Sequence, residues 1–367
     1  MRIVHLTWGL GIGGLESMLV DISREQARTA EVWIIVGNRG TADSIRRRVP
    51  DSVRFIDLAR HPGSKNPWYI VKLISKLRRI RPDVIHAHHE SFGRLDRYLS
   101  YPMLLTIHNT RESLTAALDA FSAICCISEA VFADCVKRYP EYKPSVVVNG
   151  IPFADVIRKK SYGTDQLRLV QVGRLDHAQK GQDLSIRALR TLTDYYGEGR
   201  VQLDLIGDGP SLAYLKHLAQ EYSVANSVHF RGSRSRDEIY EMLSTYSVLL
   251  QPSRFEGFGL SVVEGIAAGL PVVVSDTEGP REIVRDGALG WMFKSEDAND
   301  LAEVTIQVIG QSHRPGFQRL MHERIEAARS LFGVERTAAE YMQLYRLLAN
   351  LGPSDSQEGR AHDRQQH

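Results

Sequence analysis

Residues 251–275, QPSRFEGFGLSVVEGIAAGLPVVVS, constrain the fold more than any other stretch. They read as the end of a buried strand, a glycine-broken loop, a helix and a second apolar strand. Glu256 and Glu264 lie eight positions apart across the loop-to-helix junction. Between them, Gly257, Gly259 and the amides that follow can point at one spot. A helix start offers unpaired N–H groups and a partial positive charge, which suits a phosphate. Two carboxylates flanking an anion site suit hydroxyl groups. Phosphate and hydroxyls together suggest a nucleotide sugar.

Short apolar runs alternate with amphipathic stretches along most of the chain, which predicts α/β architecture with parallel sheets. Strands are expected over 3–7, 32–36, 53–57, 84–88, 103–108, 123–127 and 146–148, with helices over 15–28, 67–79 and 129–138. The periodicity fades over 150–166, which reads as an interdomain linker. A second series follows, with strands over 167–172, 201–206, 227–230, 248–251 and 271–275. Its helices are expected near 181–195, 211–222, 236–244, 260–268 and 298–309. Each half starts afresh with strand, glycine and helix, and 367 residues suffice for two domains. The expected fold is two Rossmann-like domains, 1–158 and 159–333, facing across a cleft, with ligands beyond the carboxyl ends of the strands. A last helix, 334–350, is expected to pack back towards the first domain. The polar residues 351–367 are expected to be a disordered tail.

Lys and Arg number 46 against 44 Asp and Glu, so the whole chain is no polyanion binder and no nucleic-acid partner is expected. The balance hides an asymmetry. Residues 1–160 carry 24 basic against 16 acidic side chains, and the remainder 22 against 28. The basic half fits peripheral contact with an anionic membrane or a phosphorylated lipid. Residues 67–79, PWYIVKLISKLRR, read as a crossover helix that could also touch such a surface, with Arg46, Arg47 and Arg48 in the same half. Three cysteines, two of them adjacent at 125 and 126, make no disulfide framework and read as buried thiols. The expectation is a cytoplasmic protein, at most peripheral on the inner face of a membrane.

Gly9, Gly11 and Gly14 form GxGxxG after the first strand, as in a dinucleotide site. The carboxylate such a site wants after strand two is replaced by Gly37-Asn38-Arg39, which leaves an NADP-dependent oxidoreductase as the alternative. In the second half, Arg174 and Lys180 flank a turn after the strand 167–172, a spacing that can grip a diphosphate.

Taken together the motifs resemble those of a GT-B glycosyltransferase, specifically family GT4, the retaining glycosyl transferases group 1. GGLE at 13–16, VGRL at 172–175 with Lys180, GDGP at 207–210 and EGFGLSVVE at 256–264 stand in that family's order. The resemblance implies an acceptor domain followed by a donor domain. It implies that Arg174 and Lys180 hold the donor diphosphate, with Gly13 and Gly14 approaching it. It further implies Glu264 on the ribose, Glu256 at the transferred sugar, and amides of Phe258, Gly259 and Leu260 on phosphate and sugar. The base would lie near Arg231 and Gly232. His108, in TIHN, matches the family's histidine that reaches the donor sugar.

His86, His88, His89 and Glu90 end another strand. Alternation sends His86 and His88 to one face and His89 to the other, a poor ligand set, so no metal is expected. No D-x-D occurs. His88, His89 and Glu16 are instead candidates for the acceptor. No cofactor is expected beyond a UDP- or GDP-linked donor acting as substrate. The acceptor expected is a saccharide, lipid-linked, in surface polysaccharide or lipopolysaccharide assembly. The family's favoured chemistry is front-side attack, with Glu256 positioning the sugar rather than serving as nucleophile. A GT-B nucleotide-sugar epimerase is the remaining alternative.

Overall fold

The computed structural model describes residues 1–11, 13–114, 118–163 and 166–350. The chain divides into two compact units, one formed by Met1–Gly150 with Val334–His367, the other by Ile151–Gly333.

The first unit is a seven-stranded parallel sheet built from β1 (Arg2–Thr7), β2 (Glu31–Asn38), β3 (Val53–Arg60), β4 (Val84–Ala87), β5 (Met103–Ile107), β6 (Ala123–Cys126) and β7 (Ser145–Val146). Its order is β3-β2-β1-β4-β5-β6-β7. Central strands such as β4 and β5 are buried at every position because helices cover both faces, which is why they read as continuous apolar runs. Helix Val334–Asn350 belongs to this unit, and its Val334, Ala338, Tyr341, Met342, Tyr345 and Leu348 join Ile3, Leu19 and Val32 in one core.

The second unit repeats the plan with β8 (Leu167–Val172), β9 (Val201–Ile206), β10 (Val228–Gly232), β11 (Val248–Gln251), β12 (Val272–Ser275) and β13 (Trp291–Phe293). The order β10-β9-β8-β11-β12-β13 again reverses direction beside the first strand. In both sheets this reversal leaves a crevice at the strands' carboxyl ends, between β1 and β4 in one and β8 and β11 in the other.

Residues 151–163 of the stretch read as a linker pack into the second unit instead. Phe153 and Val156 are buried, the Ile151 amide donates to the Phe332 carbonyl at 2.9 Å, and the Lys159 amide donates to Ala268 at 2.8 Å. The boundary therefore falls at 150/151 rather than 158/159. Elements that escape the periodicity reading include helices Asp43–Arg48, His177–Lys180, Glu278–Val284 and Phe317–Phe332, and the three-residue strand β13. The tail from 351 lies outside the described residues.

Candidate functional site

The second unit's crevice is assembled by glycines that allow backbone to meet backbone. A Cβ on Gly207 would stand 2.0 Å from the Gly173 carbonyl oxygen, and one on Gly181 1.9 Å from that of Pro252. Both have positive φ, +139° and +66°, so glycine is required twice over. The first contact zips the loop after β8 to the loop after β9. The second closes the turn after helix His177–Lys180 against the loop after β11.

That second closure brings Lys180 to Glu256. Nζ lies 2.5 Å from Oε2, both side chains mostly buried. Gln251 Nε2 and Ser253 Oγ donate to the same oxygen, each at 3.2 Å. Gln171 donates to the Lys180 carbonyl at 2.7 Å, and Ser261 on helix Leu260–Ala267 donates to Gln251 at 3.0 Å. The pair is thus held from strand, turn and helix together. Gly259 precedes the helix with φ +111°, and Phe258 is buried against the edge of Phe332. Arg174 remains well exposed, paired to Asp176 at 2.6 Å.

Two arginines that the sequence reading passed over do much of the positioning. Arg254 donates to the His177 carbonyl at 2.6 Å and to both oxygens of Asp183 at 2.8 and 3.0 Å, tying the 251–259 loop to the Lys180 turn. Arg236 Nε lies 3.1 Å from Oε1 of Glu264, both deeply buried. A basic residue opening the helix after β10 carries no motif, so only the tertiary fold reveals it. Arg231 is occupied with its strand neighbour, donating to both oxygens of Asp204 at 2.9 and 3.1 Å, with the Tyr246 hydroxyl on the same carboxylate at 2.7 Å. Its side chain serves the sheet, and the Gly232 carbonyl accepts from the Gly207 amide at 2.9 Å.

In the first unit, Gly13 caps helix Gly14–Gln26, and a Cβ there would meet the Glu16 carboxylate at 2.4 Å. Glu16 accepts from the Gly11 amide and its own; burial raises its pKa and these bonds oppose the rise. Its carboxylate thus lies against the glycine turn at the start of the helix. His88 and His108 are buried, whereas His89 is exposed and accepts from the Ser91 amide at 3.1 Å. Both ring nitrogens of His88, directly after β4, are bonded, to His5 and His108. His5, His86 and His88 bring ligand atoms within 4.8 Å of one another, a grouping the sequence missed because His5 comes from a different strand. Their ring nitrogens are engaged with one another and with Gln26, Tyr345, Thr106 and His108.

Residues 12–154 match the family described as Glycosyltransferase Family 4, and residues 154–330 the family described as Glycosyl transferases group 1. The chain belongs to this family, and that leaves the oxidoreductase alternative without support. An uncharacterized glycosyltransferase of Methanocaldococcus jannaschii is 27% identical over 244 residues, 62% of this chain and 65% of that one. The chain covers between 48% and 65% of the length of three such curated relatives. Among solved structures, a glycosyltransferase from Rickettsia africae superposes with a TM-score of 0.77 at 13% identity, covering 95% of this chain and 98% of that one. An Anabaena protein solved with UDP and glucose gives 0.74 at 19% identity, covering 94% and 99%. These likenesses establish the GT-B fold.

Proposed function

We propose that this chain is a retaining glycosyltransferase. It moves a hexose-type sugar from a nucleoside diphosphate to a hydroxyl of a saccharide acceptor, lipid-linked and destined for surface polysaccharide. The observation that carries the reading is the Lys180–Glu256 pair at the crevice of the second sheet, with Glu264 one helix away. In the reaction the acceptor oxygen bonds to the anomeric carbon as the bond to the diphosphate breaks. The acceptor's proton passes to the leaving phosphate oxygen. Lys180 and Arg174 neutralise that oxygen's charge, and Glu256 holds the sugar. His108, directly after β5, takes a substrate hydroxyl. No metal is assigned a step.

Titration with UDP-, GDP- and ADP-sugars, followed by thermal shift, tests the reading. One nucleoside diphosphate is expected to raise the melting temperature, and NADPH is not. NADPH binding without any nucleoside diphosphate binding would refute the transferase.

The membrane contact rests on helix Trp68–Ile80. It buries Leu73, Leu77 and Ile80 but leaves Trp68 66% and Val71 50% exposed. Helical spacing puts Trp68, Val71, Lys72, Ser75 and Arg79 along one side, an apolar and basic stripe suited to an anionic lipid surface. The cluster at 46–48 contributes less than its charge suggests, since Arg48 pairs with Asp21 at 2.7 Å and Arg46 stacks on Phe55. No helix among the described residues is long and apolar enough to cross a membrane. Flotation with vesicles containing anionic lipid is expected to carry the protein. A Trp68→Ser, Lys72→Glu, Arg79→Glu variant is expected to stay in solution; equal flotation of both would refute the contact.

A further inference from the structure

Four imidazoles gather where β1, β4 and β5 lie side by side in the first sheet. Parallel register sets His5 beside His86, and His108 follows β5 directly. All four are buried, at 0% exposure for His5 and His86, 7% for His88 and 8% for His108. Three of them form a single chain of bonds. Gln26 Oε1 meets His5 Nε2 at 2.8 Å, His5 Nδ1 meets His88 Nε2 at 3.1 Å, and His88 Nδ1 meets His108 Nε2 at 3.1 Å. Loss of hydration lowers every pKa in the group, His5 to about 4 and His108 to about 3, with His86 and His88 well below the usual range. The rings are therefore neutral near pH 7.

A neutral imidazole has one N–H and one lone pair, so fixing the direction of any bond in the chain fixes all of them. Gln26 sets that direction. Its Nε2 faces the Tyr345 hydroxyl at 3.3 Å and its Oε1 faces His5. Tyr345 has one proton to give, and its shorter bond, 2.6 Å to His86 Nδ1, has the length of a hydroxyl donor. The tyrosine oxygen must then accept from Gln26, whose amide presents NH2 to Tyr345 and the carbonyl to His5. It follows that His5, His88 and His108 each carry their proton on Nε2. The Nδ1 lone pair of His108 is left without a partner among the described residues.

We propose that Gln26, His5 and His88 are positioning residues that lock His108 in the Nε2–H tautomer, so that its Nδ1 accepts a hydrogen bond from a substrate hydroxyl. The hydroxyl rests on the transferase reading; the tautomer does not. A site built to accept that bond discriminates against a substrate lacking the hydroxyl, because the analogue leaves the lone pair unmatched.

The test is ring-nitrogen NMR of the full chain labelled with 15N at histidine, with His108 assigned through a His108→Gln variant. His5, His88 and His108 are each expected to show a protonated Nε2 and a bare Nδ1. Gln26→Met, which removes the anchor at similar volume, is expected to leave His108 as a mixture of tautomers and to lower kcat/KM about ten-fold. Gln26→Glu keeps an acceptor facing His5 and is expected to restore a single tautomer. A His108 protonated on Nδ1, or mixed already in the wild-type chain, overturns the proposal, as does a tautomer that Gln26→Met leaves unchanged. The wild-type spectrum decides the polarity even if Gln26→Met does not fold. A locked His108 in a chain that transfers no sugar would sink the transferase reading and the link to a hydroxyl, while a mixed His108 in an active transferase would sink the relay alone.

Discussion

Lys180→Ala is expected to lower kcat for sugar transfer on the order of a hundred- to a thousand-fold, the usual cost of removing one preorganised group from a developing negative charge. The structure shows why alanine leaves a gap that nothing else fills. Lys180 closes a single helical turn whose Gly181 abuts Pro252, so no neighbouring cation can slide into its place. Arg174 is exposed and paired to Asp176 at 2.6 Å, so its charge is already balanced in part. The fold should survive, because Glu256 keeps Gln251 and Ser253 as donors, so the melting temperature is expected to change by no more than a few degrees. Steady-state kinetics on a matched donor and acceptor check this, and a wild-type kcat would remove Lys180 from the diphosphate. Lys180→Arg keeps the charge but exchanges a point donor for a planar fork, and partial activity is expected.

Lys180 and Glu256 were legible in the sequence because each sits inside a motif whose glycines fix the local backbone. The two sheets were legible for a similar reason: strands covered on both faces are apolar throughout, and such runs repeat along the chain. What could not be read is contact between elements far apart in sequence. Arg254 reaches Asp183 across 71 positions. His5 meets His88 across 83, and only the strand order β1-β4 makes them neighbours. The stretch 151–163 failed for the opposite reason. Its bonds run largely to backbone carbonyls of the second unit, from Lys159 Nζ to Tyr246 at 2.7 Å and from the Tyr162 hydroxyl to Gly269 at 2.8 Å, so it packs without periodicity. Helix Phe317–Phe332 has Phe317, Met321, Arg324, Ile325, Ala328 and Phe332 turned inward, a helical spacing disguised by a buried arginine that stacks on Trp291 at 4.0 Å.

Arg236 is where the largest effect on stability is expected. Its side chain is 4% exposed, that of Glu264 10%, and their charged atoms are 3.1 Å apart. Arg236→Met would leave the Glu264 carboxylate buried beside an apolar chain, and breaking a buried pair by removing one partner costs about 3–5 kcal/mol. For a unit of this size the thermal midpoint should fall by about 10 °C. Combining Arg236→Met with Glu264→Gln removes both charges, so most of that loss should return. Nucleotide binding separates this structural role from the functional one. If Glu264 takes the ribose hydroxyls, Glu264→Gln alone weakens nucleoside diphosphate affinity about ten- to a hundred-fold, and the double variant, although stable again, binds no better. If Glu264 only balances Arg236, the double variant recovers stability and affinity together. Calorimetry on the four proteins therefore assigns Glu264 by whether the two recoveries part, and recovery of both would leave the ribose without its carboxylate.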